Sequence, residues 1–264
     1  MRHEFKNRMD VGFMPEQHNT PSPYNLVPRS ILLAWLDVSQ ITGLADGDAV
    51  SSVADLAGGG RNWEQATAAY RPLYKVNQIN GLPALDFDGS NDRISISHDL
   101  ANTAFTYLIV AKAEATVTAA SESTTRTDGL TGKRYLIAPH HKGANRGLGI
   151  SLGTNYFQIY GHGDGCLTCY GQFGSDYSDW GLFIAVSDTR RHYMLYNGGF
   201  IRTALQPTQT IYASGCVGSL SYGAFDGKVA EYILLGSSNL VYITYLSSYL
   251  CKKYALTSYT GIFI

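Results

Sequence analysis

The chain reads as an all-β protein: two antiparallel sheets stacked as a sandwich, with one C-terminal helix and an extended N-terminal arm. Three observations predict this. Short apolar or alternating runs, separated by Gly, Asn and Asp, recur along most of the 264 residues. Gly and Tyr are abundant, at 28 and 19 copies, and only 16% of residues are charged, against roughly 25% in an average soluble domain. A helical stripe of apolar residues occurs only near the C-terminus.

The stretch from Asn80 to Ile96 shows the pattern most clearly. Asn80-Gly81 supplies two residues that tolerate positive φ, as a tight hairpin needs. Leu85 and Phe87 alternate with Asp86 and Asp88, so one face of this strand is buried. Gly89-Ser90-Asn91 interrupts the run, and Ile94 and Ile96 resume it. A second Phe-Asp-Gly, at Phe225–Gly227, opens another strand near the C-terminus and predicts a sheet closed by distant parts of the chain.

In chain order, residues 1–30 are polar and carry Pro15, Pro21, Pro23 and Pro28. Such a segment buries too little apolar surface to order itself alone, and is expected to be an arm ordered against a partner or a loose tail. The domain proper is expected over 31–264. Ile31–Val38 is apolar on both faces, as inside a sandwich. Arg61–Val76 is irregular. Phe105–Ala113 is a buried strand, and further strands are expected at 135–138, 147–152, 156–160, 180–187, 228–235 and 216–220. His192–Tyr196 and Phe200–Thr203 form a hairpin through Asn197-Gly198-Gly199. Gly161–Ser178 reads as a long loop, a kind that is usually functional or mobile. The helix is expected over about 239–255, capped by Ser238 or Asn239, with Leu240, Ile243, Leu246, Leu250 and Tyr254 on one face. The apolar last residues, through Ile264, suggest an added edge strand or a docked tail.

Composition narrows the function. The net charge is −1, and no cluster of Lys and Arg exceeds two adjacent residues, so the positive field of a nucleic-acid binder is missing. No apolar run is long enough to span a membrane as a helix, and the opening residues lack the apolar core of a secretory leader. Cys166 and Cys169 form a CxxC with no second pair, incomplete as a four-thiolate zinc site, and fit free thiols or a small disulfide. Cys216 and Cys251 look like small buried hydrophobes.

Ala34-Trp35-Leu36-Asp37, Gly43-Leu-Ala-Asp-Gly47 and Asn80–Gly89 with Asp92 resemble the opening of the concanavalin A-like, laminin G-like jelly-roll domains. Phe225–Leu235 and Tyr249–Tyr254 resemble their closing strand and terminal helix. The resemblance covers about residues 31–256. At Val53 the chain departs from the family, which often has Trp before Asp-x-Ser-Gly; here the run is Asp55-Leu-Ala-Gly58. The resemblance implies two curved antiparallel sheets, a carbohydrate- or protein-binding role and, in some members, a calcium ion. Members occur in secreted bacterial proteins and in phage tail, fibre and capsid-associated proteins.

Two sites are candidates. Asp88, Asn91 and Asp92 place oxygens around a tight turn, where calcium could sit; the same residues make turns without metal, which is the simpler reading. The stretch His162, Asp164, Tyr170, Tyr177, Asp179 and Trp180 offers aromatic faces beside carboxylates, as a glycan or partner surface would; alternatively, Trp180 merely starts a core strand. No two of the six Glu lie within four residues of each other, so the paired carboxylates of a glycosidase are not visible, and no catalytic residue is assigned. These features lead to the expectation of a non-enzymatic, oligomeric virion protein, displayed on a phage particle and held to other virion proteins by its arm. It would touch cell-surface glycans and need no cofactor beyond the calcium considered above. A secreted bacterial carbohydrate-binding module is the alternative, and a glycan-cleaving enzyme the third reading.

Overall fold

The computed structural model describes residues 22–96, 100–101, 104–116, 135–137, 146–161, 168–173, 176–188, 191–197, 199–205, 211–213, 217–218 and 224–257. In chain order the elements are α1 (Pro23–Leu26), β1 (Leu32–Asp37), β2 (Ser52–Val53), β3 (Trp63–Glu64), β4 (Leu73–Ile79), β5 (Leu82–Asp88), β6 (Leu100–Ala101) and β7 (Phe105–Ala113). They continue with β8 (Tyr135–Ile137), β9 (Arg146–Gly153), β10 (Tyr156–Gly161), β11 (Thr168–Phe173), β12 (Gly181–Ser187), β13 (Arg191–Tyr196), β14 (Gly199–Leu205), β15 (Ile211–Ala213), β16 (Asp226–Leu235) and α2 (Leu240–Lys253).

The larger sheet runs β14-β13-β12-β7-β16-β5-β4, with β1 also on β16; the smaller runs β11-β10-β9-β15-β6, with β8 also on β9. The strands pair antiparallel, as expected, except that Ile211–Ala213 of β15 lies parallel to Arg146–Leu148 of β9. The two sheets bury their facing sides. Tyr107, Ile109, Phe183, Tyr232 and Leu234 of the larger sheet share one apolar core with Ile150, Leu152, Phe157 and Ile159 of the smaller. The two Phe-Asp-Gly runs do meet: Asp226 lies opposite Asp88 and Gly227 opposite Phe87, and the rings of Phe87 and Phe225 pack edge to face at 5.8 Å. At the Asn80-Gly81 turn both residues take positive φ, 47° and 76°, which is what a two-residue hairpin requires.

The outer face of the larger sheet is also apolar, because helices cover it. Trp35, Leu108, Val110, Ile184 and Ile233 form a second core with Ile243, Leu246, Leu250 and Tyr254 of α2. Asn239 caps the helix, its side chain accepting from the Val241 amide at 2.9 Å. Leu240, expected on the buried stripe, is the first residue of the helix and is 43% exposed. Residues 22–30 lie against the domain, with Val27 buried and Tyr24 edge-on to Trp35 at 5.4 Å.

A bulge in β16 decides which way Glu231 points. The register shifts between Val229 and Glu231, which pair with Ala111 and Val110 of β7. Val229 faces the inter-sheet core, as do Tyr232 and Leu234. Simple alternation from Val229 would aim Glu231 into that core. The extra residue, Ala230, reverses the phase and turns Glu231 outward beneath α2.

Two expectations need correcting. Part of the loop assigned to 161–178 is strand β11, whose Thr168–Phe173 pairs along β10. The irregular stretch before Val76 is also strand from Leu73 onward. Its register against β5 breaks between Lys75 and Ile79, which explains why its alternation is hard to read.

Candidate functional site

The expected aromatic surface around residue 170 is not assembled as such. His162 and Asp164 lie outside the described residues, and Tyr170 is placed in β11 by its backbone. Tyr177 is a core residue, 1% exposed. Its ring packs against Phe157, Phe183 and Tyr196 at 6.1, 5.9 and 5.0 Å, so it presents no face to a ligand. Trp180 is half-buried and packs on the outer core beneath the helix layer. Asp179 is exposed. An aromatic beside a Gly-rich run gives the same sequence signal whether its ring turns inward or outward.

The Asp88 loop folds back on itself. One oxygen of Asp88 accepts the amides of Ser90, Asn91 and Asp92 at 2.8, 3.0 and 3.2 Å, and Asp92 accepts the Asp88 amide at 3.1 Å. Partial burial pushes the Asp88 carboxyl up, but these amides outweigh it and hold it below the ordinary range. Burial pushes Asp92 up to about 6, against the Asp88 amide and with the charges of Asp88 and Asp86 adding to the rise. Turn chemistry therefore accounts for the spacing of Asp88, Asn91 and Asp92. Among the described residues no group of three or more His, Cys, Asp or Glu side chains is placed to hold a metal ion. Cys251 is a buried free thiol; Cys166 and Cys216 lie outside the described residues.

A charged cluster not anticipated from sequence lies under α2. Asp37 of β1 and Glu231 of β16 are directly opposed across the sheet, and Lys253 reaches both at 2.6 Å. Every carboxylate oxygen is engaged. Asp37 Oδ1 accepts from the Ser39 amide and hydroxyl at 3.0 and 2.6 Å, and its Oδ2 from Lys253. Glu231 Oε1 accepts from Trp35 Nε1 at 2.7 Å, and its Oε2 from Lys253 at 2.6 Å and Tyr254 at 2.8 Å. Burial pushes the Glu231 carboxyl up to about 7; the Asp37 charge adds to the rise, while Lys253 and Tyr254 oppose it. Two acids and one base, held by tryptophan, tyrosine and serine, tie the last turn of the helix to the middle of the sheet.

Beside this cluster is a recess of about 920 Å³ lined by Ser22, Tyr24, Trp35, Asp37, Ser39, Gln40, Leu56, Leu82, Tyr249, Lys252 and Lys253. Its walls combine aromatic rings with hydroxyl, amide and ammonium groups, the mixture found in small-molecule sites of roughly 300–1,000 Å³. The resemblance motif at Ala34–Asp37 contributes two of these residues, Trp35 and Asp37. The others come from the segment ahead of β1 (Ser22, Tyr24), the turn after it (Ser39, Gln40), the loop after β2 (Leu56), the start of β5 (Leu82) and α2, and nothing in the sequence marks them as neighbours.

Edge strand β1 is finished by the Asp55–Arg61 segment. Asp55 Oδ1 accepts the amides of Trp35 and Ala57 at 3.1 and 2.9 Å, and its Oδ2 those of Gly59 and Arg61, both at 3.0 Å. Arg61 donates to the Leu33 carbonyl at 2.8 Å, and the Leu56 amide to that of Trp35 at 2.7 Å. The Asp55–Gly58 run that departs from the family pattern thus holds one flank of the recess.

No protein-family model matches this sequence, and no curated protein matches it. Solved structures do. The binding domain of botulinum neurotoxin DC, in complex with SialylT, is similar at 10% identity with a TM-score of 0.56, over 83% of this chain and 51% of that one. A GH54 α-L-arabinofuranosidase soaked with 4-nitrophenyl α-L-arabinofuranoside is similar at 11% identity and a TM-score of 0.59, over 92% and 68%. Domain 4 of AbnA, an extracellular GH43 arabinanase from Geobacillus stearothermophilus, in complex with arabinotriose, is similar at 15% identity and a TM-score of 0.50, over 78% and 92%. The chain spans about half the length of the botulinum structures it matches. At these identities the likeness is one of architecture alone, that of a two-sheet β-sandwich.

Proposed function

We propose that this protein is a carbohydrate-binding β-sandwich module that holds a glycan without cleaving it. The observation that carries this reading is the recess beneath α2, where Tyr24, Trp35 and Tyr249 stand beside Ser39, Gln40 and Lys252. Aromatic faces stack on sugar rings while polar side chains grip their hydroxyls. The similarity to an arabinanase domain solved with arabinotriose, over nearly all of that domain, supports it. The particle-surface role expected from sequence draws no support from the comparisons, so the binding-module reading stands in front of it.

The facing carboxylates do not favour catalysis. A glycosidase needs one carboxyl free to donate a proton and another free to attack or to activate water. Glu231 is fully buried, and its oxygens and those of Asp37 are occupied by protein donors. Of the two acids on β5, Asp86 pairs with Lys228 at 3.0 Å and Asp88 is taken up by its turn.

Single sugar contacts bind at roughly millimolar strength, so several copies acting together would raise the avidity. On this reading the protein works outside the cell, where glycans are displayed. The test is a broad glycan array including arabinan fragments and sialylated oligosaccharides, run beside a reducing-sugar assay. Binding without turnover is expected. Silence across the array overturns the reading, and so does release of new reducing ends.

A further inference from the structure

A second recess, of about 280 Å³, has Asp37, Gln40, Thr42, Ser52 and Leu56 in its lining. It shares Asp37, Gln40 and Leu56 with the larger one, so these residues form a common wall between the two. Resting on the carbohydrate-binding reading, we propose that the two recesses are subsites of one groove, which takes a short chain of neutral sugars rather than a single sugar or an acidic one.

The lining changes character along its length. The larger recess holds the rings of Tyr24, Trp35 and Tyr249. The smaller has none; its polar side chains outside the shared wall are Thr42 and Ser52, both exposed. One sugar would stack in the first while the next meets hydroxyl groups in the second. At about 920 Å³ the first recess alone has room for more than one ring, being near the top of the range for drug-sized ligands of roughly 300–1,000 Å³.

Charge argues for neutral sugars. The Asp37 carboxylate is saturated by Ser39 and Lys253. The Lys253 ammonium is itself held by two carboxylates at 2.6 Å. Lys252, exposed at the rim, is the charged lining group with no ion pair among the described residues. An acidic sugar would meet one solvated ammonium and, behind it, a cluster in which carboxylates outnumber the lysine. Gln40, Thr42, Ser39 and Ser52 offer what neutral hydroxyls need.

The experiment is calorimetric titration of the full chain with arabinotriose, cellotriose and trigalacturonate, each beside its monosaccharide. A neutral trisaccharide is expected to bind at least about tenfold tighter than its monosaccharide, the equivalent of about 1.4 kcal/mol. Trigalacturonate is expected not to bind. Thr42→Ala and Ser52→Ala alter exposed side chains that line only the smaller recess, and leave the fold intact, as melting would verify. Each should weaken the trisaccharide by about tenfold, the loss of roughly one hydrogen bond, and leave the monosaccharide unchanged. Equal affinity for one sugar and three overturns the proposal, as does trisaccharide binding indifferent to both substitutions. So does tight binding of trigalacturonate. A chain that binds glycans on the array but none of these trisaccharides loses this inference and keeps the functional reading; a chain silent on the array loses both.

Discussion

Replacing Lys253 with methionine would test the clamp between helix and sheet. The change keeps the aliphatic stem and removes the ammonium. Asp37 and Glu231, 3% and 0% exposed, would then face each other with no cation between them. Removing one member of a buried ion pair destabilises by roughly 3–5 kcal/mol, because the remaining charge is left uncompensated. Here two carboxylates are stranded, so the upper part of that range is expected at pH 8. Protonation offers relief. The ordinary Glu value is 4.5, and in the folded chain Glu231 stands at about 7. Between those values the unfolded chain has released a proton that the folded chain still holds. Stability from this group is therefore greatest below 4.5 and falls as pH rises to 7, by up to about 3 kcal/mol at about 1.4 kcal/mol per unit. Without Lys253 the folded value moves higher still. The deficit of Lys253→Met should consequently shrink at pH 5, where Glu231 is protonated in both proteins. Urea unfolding at pH 8 and pH 5 reads this directly, and adding Glu231→Gln should recover most of the pH 8 loss. A pH 8 deficit under about 1 kcal/mol, or one that grows on acidification, would show that the cluster is not the buried clamp its geometry implies.

Two further outcomes are expected. Asp55→Ala strips a carboxylate that accepts four backbone amides; water can reach some of them, so a loss of about 2–4 kcal/mol in urea is expected, and one under about 0.5 would contradict its part in finishing β1. His192 is 1% exposed and neither ring nitrogen has a partner among the described residues. Burial pushes it down to about 4, with Asp188 opposing. A depressed histidine contributes stability above its ordinary 6.5 and loses it as pH falls toward 4, opposite in sign to Glu231. Its imidazole resonance should stay flat from pH 8 to about 5; a midpoint near 6.5 would refute this.

Local patterning made most of the sandwich legible. Phe105–Ala113 coincides with β7. The ends of Gly181–Ser187 and of α2 differ from the sequence reading by one or two residues, the usual scatter of element boundaries. These segments carry apolar residues at the period their structure demands. The Asn80-Gly81 and Asn197 turns were legible because Asn tolerates positive φ, and Asn197 takes 49°. Strand β11 was not legible: Cys169, Gly171 and the neighbouring polar residues lack the apolar alternation of a packed strand, and its pairing is supplied by β10. The candidate site was hidden for a different reason. Glu231 shares a strand with residues facing the inter-sheet core, and only the extra residue at Ala230 sends it to the other side. A one-residue bulge leaves no mark in composition, so neither its meeting with Asp37 and Lys253 nor the recess beside them could be read from spacing. Tyr177 shows the converse. Its neighbourhood in sequence is that of an exposed loop, yet three distant aromatics enclose it.

The outer rim of β1 has a bearing on how the molecule behaves in company. A bare strand edge is a template onto which another chain can zip. Here the Asp55 carboxylate, the Leu56 amide and the Arg61 guanidinium already occupy the peptide groups of Leu33 and Trp35. Crowded copies therefore find no vacant ladder along that segment, and they can be packed side by side on a surface without annealing there into a continuous sheet.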